Sequence, residues 1–86
     1  MATEYKLKSP IVLGAETINA LALEEPDLGK LIDAGVSLDE KDLMTAEGMG
    51  KLIEACCTNA TSAHIRKMKF SDLTPAVEIC SGFFTE

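Results

Sequence analysis

The sequence predicts a small α+β fold: a β-hairpin over about residues 4–24, then three to four short α-helices at about 26–34, 45–57, 62–68 and 72–84. Three observations carry this. Apolar residues alternate with polar ones near the N-terminus. The spacing turns helical after Pro26. Start signals for helices then recur along the rest of the chain. Strands first and helices after is the order of an α+β domain, here read as one domain over residues 1–86.

Tyr5, Leu7, Ile11 and Leu13 share one parity, with Lys6 and Lys8 on the other, as in a half-buried strand. Pro10 has no N–H for a ladder, so this strand lies at an edge or bulges there. Gly14-Ala15-Glu16 makes a turn, and residues 17–24 form the second strand. Its apolar residues switch parity between Ile18 and Leu21, which predicts a second irregularity. Pro26 suits the first position of a helix and Asp27 complements its positive end. Leu28, Leu31 and Ile32 follow at helical spacing, and Gly35 ends the helix with Val36 folding back on Leu31. Ser37 and Glu40 have capping-box spacing, but the acidic stretch 37–48 reads as a linker with partial helix. From Thr45, Met49, Leu52, Ile53 and Cys56 line one helical face, with Gly48 and Gly50 weakening its start by roughly 1 kcal/mol each. Ser62 caps a short helix carrying Ile65 and Met68. Ser71 or Thr74 caps the last, with Pro75 at its first position. Leu73, Val77, Cys80 and Phe84 share the core-side face of that helix, with Ile79 and Phe83 alongside.

The chain has 86 residues, 14 acidic and 8 basic side chains, and a net charge of −6. At 47% hydrophobic and 26% charged it is too apolar to be disordered. A pI near 4.6 and no Trp argue against a nucleic-acid surface, which needs Lys, Arg and stacking aromatics. No apolar run approaches the ~18 residues of a membrane span, and the N-terminus has no signal-peptide apolar region. Cys56, Cys57 and Cys80 are an odd, partly adjacent set, read as reduced and buried thiols rather than a disulfide framework. His64 is the lone histidine and reads as a surface residue beside Arg66, Lys67 and Lys69. It lies seven residues beyond Cys57, across a polar break, so the two do not read as a nucleophile pair. No zinc, EF-hand, phosphate-loop or dinucleotide pattern occurs. The carboxylates read as a solvated face. Ser71-Asp72-Leu73 has the wrong order for a phosphopantetheine carrier. No catalytic residue, metal or cofactor is expected.

With these elements in place, the sequence resembles a family of small tail assembly chaperones of contractile-tailed bacteriophages. That group includes the gene E product of phage P2 and the comparable protein of phage Mu. The likeness runs from Tyr5-Lys6-Leu7-Lys8-Ser9-Pro10-Ile11 through Glu16-Thr17-Ile18 to Leu21-Ala22-Leu23-Glu24-Glu25-Pro26 and Asp27-Leu28-Gly29-Lys30-Leu31. It resumes at Leu52-Ile53-Glu54-Ala55-Cys56-Cys57 and closes over residues 70–84, ending in Phe83-Phe84. The chain departs from the pattern in the acidic stretch 37–48, and at Glu24-Glu25, where family members often carry Arg.

The resemblance implies a binding protein and not an enzyme. Such a protein binds the tape measure protein, shields its apolar helices and helps recruit tail-tube subunits. It acts in the cytoplasm of the infected host and is absent from the finished virion. The other reading is a small acidic adaptor or phage connector subunit. Ile79, Phe83, Phe84 and Met68 are the candidate partner contacts. An uncovered hairpin invites pairing with another chain, so Tyr5, Leu7, Ile11, Leu21 and Leu23 are expected to support self-association into a homo-oligomer. The resemblance also implies a longer, frameshifted form of the protein, for which Gly82-Phe83-Phe84 can be encoded on a slippery run of T.

Overall fold

A computed structural model describes residues 2–84. Strands β1 (Thr3–Leu13) and β2 (Glu16–Leu23) form an antiparallel two-stranded sheet. Five helices follow: α1 (Leu28–Ala34), α2 (Glu40–Leu43), α3 (Ala46–Cys56), α4 (Ser62–Ile65) and α5 (Phe70–Gly82). The α+β order expected from the sequence is the observed one.

The hairpin carries one irregularity, not two. Thr3 pairs with Leu23, Tyr5 with Leu21 and Lys6 with Ala20; the register then jumps, so that Ile11 pairs with Ile18 and Leu13 with Glu16. Residues 7–10 therefore face Asn19 alone. The Pro10 break in β1 and the parity switch in β2 are two sides of this one bulge. A bulge strips backbone N–H groups of their ladder partners. Here the N–H groups of Lys8 and Ser9 turn to the Asp72 carboxylate of α5, at 2.8 and 3.1 Å.

The outer edge of β2 is closed by the segment after α3. Glu24 N–H donates to the Cys56 carbonyl and Thr58 N–H to the Ala22 carbonyl, both at 2.9 Å. The Asn59 side chain then takes the place of a further strand residue. Its Oδ1 accepts from Ala22 N–H at 3.0 Å and its amide donates to the Ala20 carbonyl at 2.9 Å.

Helices cover one face of the hairpin. The core joins Leu7, Ile11, Leu21 and Leu23 to Leu52, Ile53 and Cys56 of α3, Ile65 of α4, and Ala76 and Cys80 of α5. Each large aliphatic side chain buried there contributes about 1.5–3 kcal/mol. Four of the five residues expected to meet a second copy are thus filled by the chain's own helices. Tyr5, the fifth, is half-buried and donates from its hydroxyl to Asp72 at 2.8 Å.

Local signals explain most helix ends. Asp27 itself caps α1, accepting from Lys30 N–H, so Pro26 lies before the helix and not at its first position. Gly35 at φ 73° closes α1, with Val36 N–H bonded to the Leu31 carbonyl, a Schellman ending as expected. Asp39, not Ser37, caps the single-turn α2, and Ser37 Oγ donates to Asp42 instead. Thr45 caps α3 through Gly48 N–H. Gly48 is there for close approach: a Cβ on it would run into the Asp42 carbonyl.

The last two helices differ most from expectation. Helix α4 is one turn, ending at Ile65, and its cap is Thr61. Helix α5 begins at Phe70 after Lys69, so neither Ser71 nor Thr74 caps it and Pro75 lies inside. The missing N–H of Pro75 leaves only the carbonyl of Ser71, an exposed residue, without its helical bond. The buried face of α5 is Asp72, Ala76 and Cys80: Cys80 lies on the expected stripe, whereas Asp72 and Ala76 take the buried places one position before the expected Leu73 and Val77. Leu73 and Val77 are half-buried, and Phe84, expected on the core side, is 45% exposed. Small side chains at this face bring α5 close enough to the hairpin for Asp72 to reach the bulge.

Candidate functional site

The outward face of α3 is set by helical spacing: Glu47, Gly50, Lys51 and Glu54 recur at i, i+3, i+4 and i+7. Opposite them stand Ile65 and Arg66 at the end of α4, Met68 in the link, and Phe70 and Leu73 at the start of α5. An open groove of about 640 Å³ lies between, with Ala34 of α1 at one corner. Its floor is apolar. Its rim holds the Lys51–Glu47 ion pair at 3.2 Å, Glu54 and, across the groove, Arg66. Phe70 stands at the mouth, 79% exposed. A smaller polar recess of about 290 Å³, lined by Lys30, Asp33 and Cys57, adjoins it through Ala34, Glu54 and Ser62.

Charge is divided unevenly around this groove. Residues 24–47 hold eight acidic and two basic side chains, so they carry the entire net charge of −6. The opposite corner carries Arg66, Lys67 and Lys69, all exposed.

Groups with reactive potential are used structurally. Cys56 of α3 and Cys80 of α5 are both buried, and their thiols interact. That interaction holds the Cys56 thiol below its ordinary value and, with burial, pushes Cys80 well above it. Burial likewise raises Cys57, whose thiol donates to Asn59 Oδ1 at 3.2 Å. None is a poised nucleophile. His64 is buried, contrary to its expected place on the surface. Its Nδ1 accepts from Thr61 N–H at 3.0 Å, so the ring proton sits on Nε2 and points to Glu16 at 3.2 Å. This ties α4 to the hairpin turn, and His64 takes the Glu position of a capping box. No group of three or more His, Cys, Asp or Glu side chains that could hold a metal occurs among the described residues.

Asp72 is fully buried, yet its carboxyl lies below the ordinary carboxylate range. Burial works to raise it, but the Lys8 N–H, the Tyr5 hydroxyl, the Ser9 N–H and the nearby Lys8 charge outweigh burial together. Tyr5 is raised in turn, first by burial and then by that bond.

Of the expected partner contacts, Met68 lines the groove. Ile79 and Phe83 are half-buried against the core at the far end of α5, and Phe84 is more exposed beside them. The structure does not bring these four into one patch. Sequence reading missed Gly50 and Phe70. The available signals were a glycine mid-helix with no packing neighbour for a Cβ, and an aromatic at a helix start between polar residues.

The family described as phage tail assembly chaperone proteins, E, or 41 or 14, matches residues 4–85. No curated protein and no solved structure matches the chain. The family match spans nearly the whole chain, through the hairpin, the bulge and all five helices, and the chain belongs to the phage tail assembly chaperone family.

Proposed function

We propose that this protein binds the tape measure protein during tail assembly, keeps its apolar segments from aggregating and helps recruit tail-tube subunits. It acts in the host cytoplasm and leaves before the particle is complete. Family membership over residues 4–85 supports the tail-assembly role. The observation that carries the binding role is the open groove, which sets apolar side chains (Ile65, Met68, Phe70 and Leu73) beside a rim that carries both signs of charge. Met68 contributes to that groove. Ile79, Phe83 and Phe84 form a second contact at the end of α5, suited to the tube subunit.

The test is co-expression with the tape measure protein of the same phage. The tape measure protein should be insoluble alone and should co-purify in soluble form with the 86-residue chain. Failure to retain it at any expression ratio favours a connector or adaptor role instead.

A further inference from the structure

We propose that the groove between α3 and the α4–α5 corner receives about two turns of an amphipathic helix. That helix is basic along the flank meeting Glu47 and Glu54, and acidic where it passes Arg66. The identity of the protein supplying the helix rests on the tail-assembly reading above; the groove's preference does not.

Backbone chemistry selects a helix over an extended segment. Helices form most of the wall, with backbone groups bonded within themselves; in the link the Lys67 and Met68 N–H groups bond back to α4, and among the described residues no strand lines the groove. An extended peptide would leave its N–H and C=O groups unpartnered against an apolar floor, whereas a helix satisfies its own. Size agrees. Glu47 and Glu54 are seven residues apart on α3, about 10 Å of axis, which is two turns of a partner helix. Gly50 lies between them, and a Cβ there would meet nothing within 4 Å, so a partner backbone can approach closely.

Charge sets the flanks. The groove lies on the border between residues 24–47, which hold all the net negative charge, and the basic corner at Arg66, Lys67 and Lys69. Glu47 is already paired with Lys51. Glu54 has no ion-pair partner among the described residues, so it is the stronger anchor for an incoming Lys or Arg. Such rim charges set orientation and on-rate more than affinity, and the apolar stripe supplies the hold.

The experiment uses the full chain, ¹⁵N-labelled, and two helical peptides of about four turns with the same Leu stripe. One carries Lys on one flank and Glu on the other; the second carries Glu on both. The mixed peptide should bind more tightly and shift the amides of Gly50, Glu54, Arg66 and Phe70. Gly50→Leu should fold with an unchanged or higher Tm and lose roughly tenfold or more in affinity, because its side chain fills the site. Glu54→Lys, a second variant on the rim, should reverse the peptide preference. Shifts confined to other faces, or a Gly50→Leu protein that binds as wild type does, overturn the inference. So does a wild type that sediments as a dimer while Gly50→Leu is monomeric, since a second copy is then the occupant. Co-expression separates the two readings. A tape measure protein held equally by wild type and Gly50→Leu leaves the assembly role standing and removes the groove. A peptide bound in the groove by a chain that fails to hold the tape measure protein does the reverse.

Discussion

Replacing Asp72 with Asn removes one charge and almost no volume, so its cost measures what the carboxylate does for the bulge. The carboxylate accepts three hydrogen bonds: Tyr5 OH and Lys8 N–H on Oδ1, and Ser9 N–H on Oδ2. An amide oxygen in the place of Oδ1 keeps the first two. Its NH₂ group then confronts the Ser9 N–H, donor against donor. One buried donor left unmet costs about 1–3 kcal/mol. Losing the charge weakens the two remaining bonds, since charge-assisted bonds are roughly twice as strong as neutral ones. The sum is about 2–4 kcal/mol, a large share of the ~5–15 kcal/mol of a whole domain. Urea and thermal unfolding followed by circular dichroism read it directly, with a Tm drop of roughly 10–25 °C. The pH profile gives an independent check. A carboxyl held below its unfolded value contributes fully above about pH 4 and loses that contribution as pH falls through the folded value. The stability difference between wild type and Asp72→Asn should therefore be flat from pH 5 to 7 and shrink below about pH 4. A cost under about 0.5 kcal/mol, or a difference that ignores acid, would refute the reasoning.

Gly48→Ala should destabilise by about 2 kcal/mol or more, because the added methyl meets the Asp42 carbonyl, while Gly50→Ala should stabilise by about 1 kcal/mol through helix propensity; chemical denaturation of the pair decides. Asn59→Ala should cost about 1 kcal/mol and raise aggregation on storage, measured by light scattering, because it reopens the edge of β2 at Ala20 and Ala22. Phe83→Ala should lower Tm more than Phe84→Ala, because Phe83 packs on the core and Phe84 stands 45% exposed; equal shifts would contradict that placement.

The parts legible in the sequence were those governed by neighbours along the chain. Alternation at Tyr5, Leu7 and Ile11 gave the strand, Pro10 marked the bulge, and Gly35 with Val36 ended α1. What stayed hidden depends on partners far away. Asp72 looks like one more surface carboxylate until Lys8 and Ser9, more than sixty residues earlier, present their N–H groups. His64 reads as solvent-facing until Glu16 and Thr61 supply its two ring nitrogens with partners. The orientation of α5 was missed for a related reason. Bulk at Leu73 and Val77 points to the core in a sequence pattern, but the hairpin needs Ala76 and Asp72 close by. The groove was hidden too, because its lining comes together from α1, α3, α4 and α5, and of the expected partner contacts only Met68 lies in it.

The carboxylate that seals the bulge also fixes when the chain can become a protein. During synthesis the hairpin emerges first and is marginal by itself. Its two freed N–H groups wait for a residue that the ribosome adds 49 positions after Leu23, an interval of roughly 2–10 s at ordinary elongation rates. During that interval α3 and α4 can cover Leu21 and Leu23, but the part of the core closed by Ala76 and Cys80 stays open. A nascent chain stalled or cut before Asp72 therefore keeps an unsealed bulge and an open core edge, and the last helix is the piece that completes the fold of this chain.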